Sequence, residues 1–280
     1  MNASTTPAST APYGQLPALH LRAPDGAEAV VTPYGAHLVS WKAAPANGGG
    51  GSDSKQERLF VSRLSSLDGQ RAIRGGVPVI FPQFAERGAG MRHGFARVST
   101  WRVLEQGERD GAAFAVLALH RDDLAPDVAA AWPHAFALRL RVAVRAAELD
   151  MQLEVRNVGT ESFPCAAALH TYHRVEDVEA VRIDGVQADT LAITDKLDEI
   201  FEGIAGDIAF DTGADTLRLH QAGFTDAVVW NPGAADAAAL SDMDDEEYRN
   251  FVCIEPALLT PLTLEPGGCW TGVYRVTAAP

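Results

Sequence analysis

Fixed cations are concentrated in one segment of the chain, Ile73–Trp101. Arg74 precedes Gly75 and Gly76, and Arg97 closes the motif His-Gly-Phe-Ala-Arg. Two residues without a Cβ atom permit positive φ and a close approach of the backbone. Arg74 is therefore well placed for a bidentate contact with a phosphate or a carboxylate, which a planar guanidinium suits. A structural ion pair is the competing interpretation of this arginine.

The motif that ends in Arg97 begins with an imidazole, His93. In an extended backbone, His93, Phe95 and Arg97 would share one face, opposite Gly94 and Ala96. Small residues on the second face let another segment or a ligand come close. We therefore interpret His93 and Arg97 as ligand-binding residues. The alternative is that nearby carbonyl groups satisfy both side chains.

Two later segments offer groups for proton transfer. His170 shares a predicted strand face with Ala166 and Ala168, which leave room for a ligand. Glu255 ends the apolar run Phe251–Ile254. Desolvation at the end of a buried strand raises a carboxyl pKa and makes the group a better base near neutrality. A satisfied core histidine and a structural pair with an arginine are the respective alternatives.

The common signatures of metal and nucleotide sites do not occur. His170 and His173 are three residues apart, which in a strand puts them on opposite faces, and there is no HExxH motif or Cys/His cluster. GxSxG, Walker A and GxGxxG motifs are also absent from the sequence. We therefore expect neither a metal site at these histidines nor a nucleotide fingerprint.

The composition restricts the partners. The chain has 280 residues, 47% of them apolar, and a formal net charge of −14. It has no basic patch that suggests nucleic acid and no apolar run near the roughly 20 residues that span a bilayer. Met1–Pro12 has no early positive charge or apolar core, so we expect no secretory signal. An acidic cluster, Asp242–Glu247, is interpreted as a solvated loop.

The three cysteines indicate a reducing compartment. Cys165, Cys253 and Cys269 show no CxxC spacing, and the first two lie in apolar runs. We expect core thiols at these two positions and a soluble, cytoplasmic protein.

Short strands must position these groups. Leu138–Val144 and Leu149–Val155 alternate apolar and polar residues, and Arg145–Glu148 joins them as a hairpin whose opposite charges could pair. The other predicted strands are Ala29–Pro33, Ala36–Lys42, Val98–Val103, Ala113–His120, Ala166–Tyr172, Thr216–His220, Ala227–Trp230, Phe251–Glu255, Leu262–Leu264 and Trp270–Val276. Helical turns are expected only in Asp122–Ala131 and Asp242–Asn250.

Many strands with short connections predict an all-β fold, an antiparallel sandwich of two large sheets. We expect a flexible N-terminal tail over residues 1–14 and a single domain over residues 15–280. The segment Ala44–Gln56, with four consecutive glycines at Gly48–Gly51, is predicted to be a mobile hairpin loop.

Seven motifs occur in a recognisable order. They are Ile73–Pro78, Phe81–Phe84, His93–Arg97, Leu169–Tyr172, Asp226–Pro232, Asp242–Met243 and Val252–Glu255. In this combination the chain resembles the glucose-6-phosphate 1-epimerase branch of the aldose 1-epimerase superfamily over roughly Pro33–Val276. The resemblance implies a galactose-mutarotase-like β-supersandwich without a metal or an organic cofactor.

The same resemblance implies roles for individual residues. His170 corresponds to the general acid and Glu255 to the general base. Arg74 and Arg97 correspond to the arginines that bind substrate and phosphate, with His93 beside them.

Two further positions are similar to the family with departures. Asp198 is the best match to the sugar-binding aspartate, although its segment Leu197–Phe201 departs from the Asp-Arg-Ile/Val-Tyr pattern at Glu199 and Phe201. Arg92 stands where the family often has glutamine, so an extra cation could strengthen phosphate binding or face solvent.

These residues fit a known type of proton chemistry. A base takes the proton of the C1 hydroxyl and an acid protonates the ring oxygen, so the sugar ring opens and recloses on the other face. We expect a carboxylate and a protonated imidazole on opposite sides of the sugar. The implied function is a hexose-6-phosphate 1-epimerase, a monomer acting on a small sugar phosphate.

Three alternatives stay open. The first is an aldose 1-epimerase that acts on unphosphorylated sugar. The second is a non-catalytic carbohydrate-binding protein, which needs no paired acid and base. The third is a glycoside hydrolase that uses Asp198 and Glu255 as its two carboxylates.

Overall fold

A computed structural model describes residues 11–44 and 56–279. The predicted glycine loop at Gly48–Gly51 lies outside the described residues, as do the first ten residues. In chain order the strands are β1 Leu19–Arg22, β2 Glu28–Thr32, β3 His37–Lys42, β4 Val79–Ile80, β5 Arg102–Arg109, β6 Ala112–His120, β7 Phe136–Arg145, β8 Glu148–Asn157, β9 Phe163–Leu169, β10 Tyr172–Arg174, β11 Arg182–Asp184, β12 Leu191–Ala192, β13 Leu197–Phe201, β14 Ile208–Asp211, β15 Thr216–Ala222, β16 Asp226–Asn231, β17 Phe251–Leu264 and β18 Cys269–Ala279.

Helices are few and short in the described part of the chain. The two α-helices are α1 Pro126–Ala131 and α2 Gly233–Ala237, and 3₁₀ turns cover Ala96–Val98, Arg121–Asp123, Val178–Ala180 and Glu247–Asn250. None of the helices between residues 11 and 44 or between 56 and 279 has the length and apolarity to cross a membrane. The helical turns expected in Asp122–Ala131 and Asp242–Asn250 are confirmed.

The strands form three sheets in which every pairing between strands is antiparallel. The largest has nine strands in the order β12-β11-β14-β15-β18-β8-β7-β6-β5, and the second has six, β13-β16-β17-β9-β4 with β10 also on β17. A three-stranded sheet, β1-β2-β3, is separate. The predicted all-β antiparallel fold is confirmed.

The β7–β8 hairpin follows from its alternating sequence. Arg145 pairs with Glu148, and the whole register runs without a shift. Leu140 and Leu153 on the inner face are fully buried, and burial of each such side chain is worth roughly 1.5–3 kcal/mol. On the outer face Arg141 donates to Asp150 at 3.1 Å, so the predicted charge pairing across the strands is confirmed.

The main core lies between the nine-stranded and six-stranded sheets. Alternate residues of β6, β7, β8 and β18 pack there against β9, β16 and β17. His173 on β10 and Tyr274 on β18 join the two sheets, with 2.9 Å between the imidazole Nε2 and the hydroxyl oxygen. Cys165 and Cys253 are buried, as predicted, and Cys269 is exposed.

Two predicted strands are wrong in part. Val98–Val103 begins with a 3₁₀ turn, because the N–H of Val98 donates to Phe95, and the strand starts only at Arg102. Ala166–Tyr172 is interrupted at His170 and Thr171, where the N–H of His170 donates to Pro78 instead of continuing the ladder.

The third correction concerns the strand that carries Glu255. The predicted strands Phe251–Glu255 and Leu262–Leu264 are parts of the single strand β17, which continues through Pro256 with an irregularity between Leu258 and Leu262. Glu255 therefore lies inside a strand and not at its end.

Candidate active site

The six-stranded sheet has a second face that carries the predicted site. On β17 Ile254 points into the main core, and Glu255 and Ala257 point to the opposite face. Ala257 packs there with Ile80 and Val228, among other buried apolar residues. Glu255 is only 1% exposed in these surroundings.

Strand register brings His170 beside Glu255. Ala168 of β9 pairs with Ala257, and Tyr172 of β10 pairs with Cys253. His170, midway between Ala168 and Tyr172, therefore lies beside Glu255, which is midway between Cys253 and Ala257. The distance between His170 Nδ1 and Glu255 Oε1 is 3.2 Å, but their alignment does not make a hydrogen bond. Within the described residues, neither this nitrogen nor either Glu255 carboxylate oxygen has a hydrogen-bond partner.

The surroundings oppose the charged form of both groups. Burial, followed by His93, Arg97 and Arg74, lowers the pKa of His170 well below its usual value. Burial and the charge of Asp198 raise the pKa of Glu255 well above its usual value, against a smaller opposing effect of Arg97. These surroundings thus favour a neutral imidazole and a protonated carboxyl group. The predicted direction for Glu255 is confirmed.

This geometry corrects the expected arrangement of acid and base. A gap of 3.2 Å leaves no room for a sugar between His170 and Glu255, so the two groups lie on the same side of any ligand. Desolvation also disfavours the imidazolium ion, which is the form that the expected general acid needs.

Aromatic rings enclose the imidazole of His170. The ring of Tyr172 stacks on it with 4.9 Å between centroids and 10° between planes. Trp230 approaches its edge at 6.0 Å. These contacts restrict the orientation of the His170 ring.

Arg74 is held by two neighbours at the rim of this site. Its Nη1 donates to the Tyr172 hydroxyl at 3.1 Å, and its Nε donates to Asp242 at 3.2 Å. The structural ion pair considered as an alternative is therefore present. The Arg74 Nη2 is not used in either bond, so the same guanidinium retains a donor for a ligand.

The His93–Arg97 motif does not have the extended backbone that we predicted. His93 and Gly94 both have positive φ, and a 3₁₀ turn starts at Ala96. A Cβ atom on Gly94 would lie 1.9 Å from the carbonyl oxygen of Phe81, so the chain makes a tight turn where only glycine fits. Phe95 packs in the main core, and His93 and Arg97 reach the site by the turn.

His93 is a neutral donor beside His170. Its Nδ1 accepts the backbone N–H of Ala85 at 3.2 Å, which puts the ring proton on Nε2. Burial, Arg97, Arg92 and Arg74 lower the pKa of His93 to about 3. The two imidazole rings are 5.6 Å apart, so the Nε2–H group can serve a ligand that contacts His170.

Arg97 carries a charge that no acidic group balances. Its Nη2 donates to the backbone carbonyl of Arg92 at 3.1 Å, and its Nε is buried without a hydrogen-bond partner. Across residues 11–44 and 56–279 it forms no ion pair. Arg92 itself is exposed, although its charge acts on His93 and Arg97. The arrangement is suited to an anion.

Asp198 lies across the sheet from the His170–Glu255 pair. It is exposed on β13 opposite Trp230, which is in turn opposite Cys253 on β17. Two strand spacings, about 10 Å, separate Asp198 from β17. Its charge raises the pKa of Glu255, so the two carboxyl groups interact electrostatically.

Sequence reasoning missed three contributors. The acidic segment Asp242–Glu247 is not simply solvated, because Asp242 binds Arg74 and Glu247 accepts from the Ser62 hydroxyl at 2.6 Å. Tyr172 and Trp230 belong to two of the ordered motifs, but the sequence alone predicts no role for them. The period-two spacing of Tyr172 from His170 is a signal that could have identified it.

Possible metal ligands differ from the histidine pair considered at the outset. His173 is turned to Tyr274, away from His170, as the spacing predicted. In the described chain, the donor atoms of His170, Cys253 and Glu255 lie within 4.8 Å of one another.

Known proteins are similar to this chain in sequence. Residues 17–205 match the family described as "Aldose 1-epimerase". A candidate glucose-6-phosphate 1-epimerase from Cenchrus ciliaris is 32% identical over 272 residues, covering 88% of this chain and 80% of that protein.

Solved structures are similar over nearly the whole chain. A candidate mutarotase from Salmonella typhimurium has a TM-score of 0.85 at 24% identity, covering 99% of this chain and 96% of that one. A galactose mutarotase-like protein from Clostridium acetobutylicum has a TM-score of 0.68 at 16% identity, covering 94% and 95%. The predicted galactose-mutarotase-like supersandwich is confirmed.

Proposed function

The chain belongs to the aldose 1-epimerase family, and from this premise we propose that it interconverts the α and β anomers of glucose 6-phosphate. Membership of this family supports an isomerase that acts on sugars, a sugar epimerase. The phosphate and the residue roles are our proposal.

The adjacent pair His170 and Glu255 suits anomerisation. The C1 hydroxyl oxygen and the ring oxygen are bonded to the same carbon, so groups 3.2 Å apart can reach both. A proton passes from the Glu255 carboxyl group to the His170 imidazole, 3.2 Å away, so that the carboxylate takes the hydroxyl proton and the imidazolium protonates the ring oxygen; the roles exchange when the ring closes. This assignment of acid and base follows the family resemblance. His93 and Asp198 are then placed to hold sugar hydroxyl groups.

A bound phosphate would help to prepare the acid. The charges of Arg97 and Arg74 lower the pKa of His170 in the empty site. A dianion beside these arginines offsets that repulsion, which raises the pKa of His170 and favours the imidazolium form. The phosphate of the substrate thus favours the protonated form of His170 that the reaction requires.

The single observation that carries the phosphate proposal is the unbalanced charge of Arg97. A partly buried guanidinium with an unpaired Nε costs free energy unless an anion binds it. One observation favours the alternative, an epimerase for unphosphorylated aldoses. Arg74 already pairs with Asp242, so Arg97 would bind the phosphate with less help.

Polarimetry on freshly dissolved α-glucose 6-phosphate tests the proposal. We expect the protein to accelerate the approach to anomeric equilibrium, with a much higher kcat/KM than for α-glucose. Equal kcat/KM for the two sugars would favour the unphosphorylated alternative. A rate equal to that in buffer would refute the epimerase, and reducing sugar released from a glycoside would indicate a hydrolase.

A further inference from the structure

A thiol lies beside the His170–Glu255 pair and has no part in the proposed reaction. Cys253 is two residues before Glu255 on β17, so both side chains point to the same face. Cys253 is fully buried, and Glu255 and His170 are 1% and 8% exposed. The donor atoms of the three residues lie within 4.8 Å of one another.

The spacing is close to that of ligands on one metal ion. With metal–ligand bonds of about 2.0–2.3 Å, tetrahedral ligand atoms lie about 3.3–3.6 Å apart. His170 Nδ1 and Glu255 Oε1 are already 3.2 Å apart. A rotation of Cys253 that moves the sulfur by about 1 Å would bring the third ligand to the same spacing.

The candidate ligand atoms of His170 and Glu255 also make no hydrogen bonds within the described part of the protein. In the described chain, His170 Nδ1 and both Glu255 oxygens are buried and lack hydrogen-bond partners. A buried polar atom without a partner costs free energy, which a metal ion at this position would recover. Their lone pairs are therefore available to one ion.

We propose that His170, Cys253 and Glu255 bind a thiophilic divalent cation, Zn²⁺ in particular, and that the ion excludes the sugar. Thiolate, imidazole and carboxylate together suit Zn²⁺ and not Mg²⁺, which prefers oxygen ligands. The S–H bond of Cys253 and the O–H bond of Glu255 break as the sulfur–metal and oxygen–metal bonds form, and both protons leave to solvent. Thiolate and carboxylate then balance the two charges of the ion.

Binding at this site is independent of the enzyme's activity, whereas inhibition rests on the proposed function. The ion would occupy the two groups that transfer protons and so compete with the sugar. Binding releases the protons of the thiol and the carboxyl group, so we expect the affinity for Zn²⁺ to rise with pH.

Cobalt titration tests the site directly, because a thiolate ligand on Co²⁺ gives a charge-transfer band. We expect this band in the wild-type protein, its displacement by Zn²⁺, and no effect of Mg²⁺. Cys253→Ser should abolish the band and weaken Zn²⁺ binding at least tenfold, while changing anomerisation only a few-fold. Cys165→Ser and Cys269→Ser are matched controls that should retain the band.

Other results would overturn the metal site or separate it from the proposed function. If no thiolate band forms on the folded wild-type protein, or if the band survives Cys253→Ser and disappears in Cys269→Ser, the proposal is wrong. Should Cys253→Ser not fold, X-ray absorption of the zinc-loaded wild type decides, since one sulfur at about 2.3 Å and nitrogen or oxygen at about 2.0 Å are required. A band without any anomerisation activity would refute the proposed function and leave the metal site intact.

Discussion

Glu255 and His170 are in surroundings that disfavour their charged forms, and this is what makes them chemically useful. Burial makes Glu255 hold a proton, and His170 give one up, more readily than either group does in water. Arg97 is the complementary case, a fixed charge that pairs with no acidic group in the described part of the chain.

Removal of either proton-transfer group should reduce catalysis and preserve the fold. We expect Glu255→Gln and His170→Ala each to lower kcat for anomerisation by about 10²–10⁴-fold, the usual contribution of a general acid or base. Polarimetry measures kcat, and circular dichroism checks the fold. Glu199→Gln, an exposed glutamate on β13, is the matched control. Near wild-type kcat in Glu255→Gln or His170→Ala would remove that residue from the mechanism.

Phosphate selectivity should depend more on Arg97 than on Arg74. A hydrogen bond to a charged group is worth about 1.5–3 kcal/mol, or roughly 10–150-fold. We expect Arg97→Ala to lower the kcat/KM ratio of glucose 6-phosphate to glucose by at least tenfold. Arg74→Ala should lower it less, because Asp242 shares its charge.

Arg139→Ala provides the control, since this exposed arginine lies on β7 in the other large sheet. An unchanged ratio in both Arg74→Ala and Arg97→Ala would contradict the phosphate assignment.

At the scale of elements, the site depends on one tight turn and one strand register. The turn at Gly94 packs the backbone closely against that of Phe81. It places His93 and Arg97, which belong to the same short segment, at the site. The register of β9, β10 and β17 sets His170 opposite Glu255. If the turn or the strand register shifted by one residue, the side chains of the site would move apart, because adjacent side chains in a strand face opposite ways.

Gly94→Ala should destabilise the fold strongly. Its Cβ atom would overlap the backbone of Phe81, and positive φ adds strain, so we expect the free energy of unfolding to fall by at least about 2 kcal/mol. Urea denaturation measures it. Gly206→Ala is the control, because a Cβ there meets no atom within 4 Å and the change should stay within about 1 kcal/mol. Equal stability of the two variants would show that the turn can relax.

The long strands could be predicted from the sequence, and so could several residues that the structure brings together, but the site geometry could not. Alternation along β7 and β8 is a local signal, and the ordered motifs contain His170, Glu255, Arg74 and Arg97, which lie close enough to interact electrostatically. The turn at Gly94 depends on a contact with Phe81, and the 3.2 Å gap depends on pairing between β9, β10 and β17. Such distant pairings leave no period in the sequence. Strands of two or three residues, such as β11 and β12, were missed for the same reason.

At the scale of the whole molecule, buried histidines link stability to pH. His37 is fully buried with Nε2 2.7 Å from the carbonyl oxygen of Gly75, and burial lowers its pKa to about 4. Its unfolded pKa is near 6.5, so below this pH the unfolded state binds more protons. His37 therefore stabilises the fold above pH 6.5, and this contribution is lost as pH falls towards 4.

We expect His37→Gln to reduce the acid sensitivity of the protein. Between pH 7 and pH 4.5 the loss of unfolding free energy should be about 2–3 kcal/mol smaller than in the wild type, because the variant has no imidazole to protonate. Glutamine can still donate to Gly75. Chemical denaturation at several pH values measures the difference, and parallel curves for the two proteins would contradict the assignment.

Three sequence-based statements about the whole molecule stay predictions. They are a single domain over residues 15–280 after a tail of residues 1–14, a monomeric state and a cytoplasmic location. Light scattering after size-exclusion chromatography tests the second.

Arg97 ties the thermal stability of the molecule to its ligand. An unbalanced, partly buried charge lowers the stability of the empty fold, and an anion that binds only the folded state raises it by mass action, by about 2.7 kcal/mol at one hundred times its Kd. The melting temperature of the protein thus becomes a function of the anion concentration around it. If the proposed sugar phosphate is that anion, the protein resists thermal unfolding most where the sugar phosphate is abundant.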